Sequence, residues 1–315
     1  MIVKRFGALV IAVVLIVGAL AVRDRLDKKE DLEGSPLRVV CATELGVACQ
    51  RLSKLGFEVT TEDAQETART LAKADRGSVK TELWLTVEPA AALVDTDRAL
   101  RGVKPLLTRE SVTPVATTDL ALVIWKDRAA VLRKACPTVT LTVRCVGEVA
   151  GRDAWSASGG RPEWGQVRVA LPDPELTAAG LLALGAGAQS WFKSADVGSN
   201  DFDADPGFGD WLAGLARATP RGGSLARMLA NRAEFDLAIA PRALADEQKG
   251  LADVSVLALE PSTQVRAVAV VLPGSRGSPK DLEGAVKWTA AAVKGTPLAA
   301  DVLEALRLRW RDLSR

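Results

Sequence analysis

The chain has 315 residues, 41 Lys plus Arg against 39 Asp plus Glu, and neither His nor Tyr. That length accommodates one large domain or two lobes with separate cores, and 48% apolar with 25% charged residues is a folded composition. A net charge of +2 argues against a nucleic-acid partner. Without His there is no Ser-His-Asp or Cys-His catalysis and no imidazole metal site, so binding leads over catalysis, with no cofactor or metal expected.

Lys4 and Arg5 precede an uncharged apolar run, Phe6–Val22, of 17 residues, closed by Arg23-Asp24-Arg25. The run is at the lower edge of what spans a bilayer as a helix and long for a signal-peptide core, although Ala19-Leu20-Ala21 has the small-x-small form of a cleavage site. The first cysteine is Cys41, too far downstream for a lipidated N-terminus. Cations on both flanks leave orientation open under the positive-inside rule. Cysteine spacing helps to break the tie: Cys41 and Cys49 are 8 apart, Cys136 and Cys145 are 9 apart, and neither pair is a C-x-x-C. Two short-range pairs behind an export signal suggest two local disulfides in an oxidising compartment, free buried thiols being the alternative. The expectation is a single-pass cell-membrane protein with an uncut anchor and an extracytoplasmic body. Residues 23–36 read as a charged tether ending in Gly-Ser-Pro.

Leu37–Cys41 has the apolar character of a buried strand, Leu45–Leu55 has helical spacing, and Phe57–Thr60 alternates as a second strand. Asp63 with Glu66 three residues on resembles a capping box for a helix reaching Ala74. A third strand, Glu82–Val87, closes at Glu88-Pro89. This alternation is the grammar of a mostly parallel sheet. Residues 112–126 form a long β-rich stretch followed by a helix, Asp127–Ala135, and a Gly-, Ser- and Trp-rich loop, Gly151–Gly165. The alternation restarts with a strand at Val167–Leu171, a Pro172-Asp173-Pro174 turn and a small-residue helix over Thr177–Phe192. An acidic segment, Asp196–Asp210, precedes helices at Trp211–Arg217 and Ser224–Arg232 and a strand, Phe235–Ala240. Val254–Leu272 is a second β-rich passage, broken at Glu260-Pro261-Ser262, and two helices follow, Pro279–Lys294 and Pro297–Asp312.

Trp164-Gly165-Gln166-Val167-Arg168-Val169-Ala170-Leu171-Pro172-Asp173-Pro174, with Thr177 and Gly180 behind it, resembles the W-G-strand, D-P turn and Ser/Thr-x-x-Gly helix start of type 2 extracellular solute-binding proteins. Asp236-Leu237-Ala238-Ile239-Ala240 is similar to that family's late aspartate-plus-strand. The resemblance covers Leu37–Arg311 and implies an α/β, two-lobed, periplasmic-binding-protein-like fold joined by two hinge strands, preceded by one transmembrane helix. Its boundaries would be residues 1–36 for anchor and tether, 37–118 with 262–315 for lobe I, and 119–261 for lobe II. The chain departs from the family where Ala42-Thr43-Glu44 replaces a Ser after the first strand, and in lacking a late Tyr. Anion specificity therefore does not carry over.

Ligands in α/β lobes sit beyond strand C-termini, against helix N-termini. That selects Thr43, Glu44, Thr86, Glu88, Thr118, Thr177 and Arg242 as candidate ligand-binding residues. Their plainer uses are helix caps for the threonines, favourable helix-start placement for the glutamates and a solvated charge for Arg242. Asp201, Asp203 and Asp205 resemble the start of a calcium loop, but Pro206 and Leu212 stand where Gly and Glu belong, so a solvated acidic loop is the better reading. Trp155, Trp164, Trp191 and Trp211 are expected in the lobe II core. The function expected is closure of two lobes on a small ligand for a membrane transporter or sensor. The alternative is a non-transport envelope protein with a degenerate cleft acting through another protein. A hydrolase lacks both a paired-carboxylate motif and Gly-x-Ser-x-Gly.

Overall fold

Alternating β-branched runs and amphipathic segments build the first half of the body. The computed structural model describes residues 35–136, 140–152, 154–248, 250, 253–288 and 295–314. The apolar run 6–22 lies outside them, and no described helix is long and apolar enough to cross a membrane. β1 (Arg38–Ala42), α1 (Gly46–Lys54), β2 (Glu58–Glu62), α2 (Ala64–Lys73), β3 (Leu83–Val87) and α3 (Glu88–Leu100) follow in order. β1 lies between β2 and β3, parallel to both, as the strand–helix–strand grammar requires. A disulfide ties Cys41 in β1 to Cys49 in α1.

β4 (Val112–Trp125) is the long β-rich stretch, and its partners change along its length. Val112–Asp119 pairs antiparallel with β9 (Gln264–Val271), and β9 pairs with β3. From Leu120 onward β4 pairs instead with β7 (Leu237–Pro241) and β8 (Val254–Glu260). Glu260-Pro261-Ser262 falls between β8 and β9, so the second β-rich passage changes partners there, β8 pairing with β4 and β5 and β9 with β3 and β4. Arg38–Arg315 nevertheless forms one compact unit.

The second half holds α4 (Lys126–Ala135), β5 (Leu141–Thr142), α5 (Val143–Ala150), β6 (Val169–Ala170), α6 (Ala178–Phe192), α7 (Asp201–Ala204), α8 (Pro206–Arg217), α9 (Leu225–Ala230) and α10 (Arg242–Asp246). β6 runs parallel to β7 and β5 to β8. A second disulfide joins Cys136, at the end of α4, to Cys145 in α5. The Trp211 indole occupies the space that side chains at Gly147 and Gly187 would fill, 2.3 and 2.4 Å from the Cβ positions. Its Nε1 donates to the Arg144 carbonyl, at 2.9 Å, and Trp155 is wholly buried. Trp211 and Trp155 are core residues, and Trp164 packs edge-on against Trp155. The two stretches that resemble the family meet: buried Asp236 accepts from the Arg168 N–H at 2.8 Å and pairs with Arg128 at 2.7 Å. Burial raises the Asp236 carboxyl above its ordinary range despite these partners.

α11 (Ala300–Leu313) closes the chain, packing against α3 of the first half and against α6 and α8 of the second. Several local expectations need correction. Pro279–Leu282 is a single 3-10 turn rather than the start of a helix to Lys294; Gly284, at φ 76°, cannot continue one, and residues 289–294 lie outside the described set. Asp63 and Glu66 form no capping box: Asp63 accepts from the Thr43 hydroxyl and Glu66 pairs with Arg69. The acidic segment is ordered by caps, Asp205 accepting from the N–H groups of Gly207 and Phe208 and starting α8 five residues early. No group of acidic residues suited to a metal ion occurs among the described residues.

Candidate functional site

The two halves meet where the loop after β1 reaches the first turn of α6. Thr177 is the N-cap of this helix, its hydroxyl accepting from the Gly180 N–H at 3.2 Å and donating to the Asp173 carbonyl at 2.9 Å. The helix start is packed tightly, since a Cβ on Gly180 would lie 2.0 Å from the Pro172 carbonyl oxygen. The preceding N–H groups, of Ala178 and Ala179, point at Glu44, whose two carboxyl oxygens accept from them at 3.0 and 2.9 Å. One carboxyl group from the first half thus satisfies two of the orphan donors of a 15-residue helix in the second.

The Glu44 residue is half-buried, but its carboxyl end is withdrawn from water. Burial pushes its pKa up to about 7; the bonds from Ala179 and Ala178 oppose that rise, and nearby Asp63 adds to it. Thr43 is exposed beside it and donates to Asp63 at 2.7 Å. Two further contacts fasten the same junction: the Gln65 N–H donates to the Leu176 carbonyl at 3.1 Å, and Arg69 donates to the Glu175 carbonyl at 3.2 Å.

A second group forms where β4 changes partners. The buried Thr118 hydroxyl accepts from the Ala243 N–H at 3.1 Å at the start of α10. Arg242 is not a solvated charge: its Nε donates to both oxygens of Asp119, at 2.8 and 2.9 Å. The adjacency of Thr118 and Asp119 explains it, because the strand that caps α10 also places a carboxylate beneath its first side chain. Glu88 belongs to a third group, paired with Arg266 of β9 at 2.9 Å. A cavity of about 190 Å³ lies over that pair, walled by Pro89, Ala92, Pro297 and Leu303; ligand pockets start at about 300 Å³. Thr86 is wholly buried in β3, and its hydroxyl has no hydrogen-bond partner among the described residues.

The structure therefore joins Glu44 to the helix capped by Thr177, and Thr118 to the helix begun by Arg242, and it pairs Glu88 separately. Sequence reasoning missed Asp119 and Arg266 as charge partners and the Ala178 and Ala179 N–H groups as a carboxyl site. Asp119 was within reach, being a carboxylate next to a candidate hydroxyl. The backbone donors carry no residue signature at all.

No protein-family model and no curated protein matches the sequence. Solved structures do match in shape. The periplasmic binding protein AfuA from Actinobacillus pleuropneumoniae, with fructose-6-phosphate bound, aligns over 89% of this chain and 98% of its own at TM-score 0.54 and 12% identity. A periplasmic thiamin binding protein aligns over 89% and 96% at TM-score 0.54 and 14% identity. Iron-bound HitA from Pseudomonas aeruginosa aligns over 89% and 100% at TM-score 0.55 and 13% identity.

The chain has the fold of the periplasmic binding proteins. At this identity the likeness is one of architecture, the α/β two-lobed arrangement that the sequence resemblance implied.

Proposed function

We propose that this chain is an extracytoplasmic, non-enzymatic binding protein that closes two lobes on a small ligand. Lobe I comprises residues 37–118 and 262–315, lobe II residues 119–261, and the turning points are the partner change in β4 at Asp119/Leu120 and the β8–β9 break. The run Phe6–Val22 would anchor it to the membrane, where its partner is a transporter or sensor. The observation that carries this reading is the junction at Glu44. There a helix N-terminus of one lobe faces the loop after the first strand of the other and already holds a carboxyl group. The fold shared with proteins that hold a sugar phosphate, thiamin or iron supports it.

A second reading, a degenerate cleft in a protein that acts through another envelope protein, is favoured by one observation. The candidate groups are largely consumed internally: Glu44 by α6, Glu88 by Arg266, Arg242 by Asp119, and Thr118 and Thr177 as caps. Native mass spectrometry on the full chain, purified without reductant from an exporting host, separates the two. A co-purifying small mass lost on denaturation is the expected result. A bare polypeptide that also takes up none of a panel of small metabolites would leave the second reading.

A further inference from the structure

We propose that Glu44 is a built-in latch: its carboxyl group holds the two lobes shut without ligand by occupying the Ala178 and Ala179 N–H groups, and opening requires it to leave. This rests on the two-lobed binding reading and adds a regulation to it.

The geometry is specific. Both carboxyl oxygens are used, at 3.0 and 2.9 Å, by adjacent donors of one helix turn. Thr177 takes the next N–H, so the first turn of α6 is fully engaged while the latch is closed. Ligand chemistry at this spot must therefore compete with a carboxyl group already in place. The flanking contacts, Gln65 to Leu176 and Arg69 to Glu175, are directed at backbone carbonyls of the same loop.

The charged groups on the surrounding elements make the latch sensitive to protons. On the β2–α2 side these are Glu62, Asp63, Glu66 and Arg69; Glu62 accepts from Thr67 and Glu66 pairs with Arg69. On the loop before α6 they are Asp173, which accepts from the Glu175 N–H, and Glu175, which faces Arg307 and Arg311. The first turn of α6 has no charged residue. Among these groups Asp63 acts on Glu44, and it acts against ionisation. Among the described residues no cation compensates Glu44, so it binds a proton more tightly closed, near 7, than in water, near 4.5. Protonation therefore favours closure, and ionisation as pH rises through 7 favours opening. The closed-to-open ratio is expected to be about tenfold higher at pH 6 than at pH 8.

The test is the distance between spin labels on exposed positions of α1 and α8 in the full chain, with no ligand added. The wild type should shift toward the longer distance between pH 6 and pH 8. Glu44→Gln, which does not ionise, should lose the pH dependence, although its amide oxygen can accept from only one of the two N–H groups, and Glu44→Ala should be open at both. A wild-type distance independent of pH, or a Glu44→Ala distance matching wild type, would overturn the latch. If Glu44→Ala does not fold, the wild-type and Glu44→Gln pH series decides alone. The outcome is separable from the binding reading, because mass spectrometry can find a ligand whether or not the ligand-free lobes are latched.

Discussion

Two glutamates at opposite ends of the first-half sheet are handled in opposite ways. Glu82, just before β3, receives Arg276 through Nε and a terminal nitrogen at 2.7 and 3.1 Å, and also the Arg38 N–H at 3.1 Å. The Arg276 bond holds its carboxyl below the usual carboxylate range, outweighing burial. Glu44, just after β1, has only neutral N–H donors among the described residues, and burial wins. Charge compensation separates a brace from a movable part: Glu82 gains nothing by releasing its cation, whereas Glu44 sits in a contact that one proton can rebalance.

The largest effect is expected from breaking the brace. Arg276→Ala takes the paired guanidinium from a buried carboxylate, leaving it backbone N–H groups and the more distant Arg38 side chain at 3.9 Å, and should cost about 3 kcal/mol, measured by urea denaturation at pH 7. The Glu82 contribution is present above about pH 4.5 and is lost as pH falls through its depressed folded pKa. That of Glu44 runs the other way, present in acid and lost as pH rises through about 7. Next is Gly180→Ala, which drives a methyl group against the Pro172 carbonyl at 2.0 Å. It should cost about 2 kcal/mol and raise amide exchange at Ala178 and Ala179, sharpening the comparison from the helix side. Thr118→Val strands the Ala243 N–H and should cost about 1 kcal/mol without altering the Glu44 titration. Glu88→Gln should cost about 0.5 kcal/mol or less, because that pair is one-third exposed. A cost above about 2 kcal/mol there would put the important carboxylate in the wrong place.

Much of the strand order was legible because β-branched runs at 38–42, 83–87, 112–125 and 264–271 leave little other use for those residues. The Thr177 cap was legible from its position three residues before Gly180. α3 was missed because Glu88-Pro89 reads as the end of a strand, while proline at a first helical position is equally a beginning. The short α5 spans only two turns, too few for its apolar spacing to stand out in the sequence. The overextended helix at 279–294 shows the reverse error, a charged amphipathic stretch interrupted by a glycine at positive φ. The site was legible only by residue. Glu44 and Thr177 were both candidates, but Glu44 and the Ala178 N–H it accepts from are 134 positions apart, and no local pattern joins them. Asp119 and Arg242 are likewise 123 apart and meet only because β4 changes partners beside α10.

The most direct measurement is the carboxyl-carbon titration of Glu44 by NMR in the glutamate-labelled full chain, assigned with Glu44→Gln and read beside Glu82. A Glu44 midpoint near 7, with Glu82 titrating below the ordinary range, is the expected result. A Glu44 midpoint near 4.5, the value of a carboxyl group in water, would mean that this residue is not buried against α6 and that the cleft is not closed upon it.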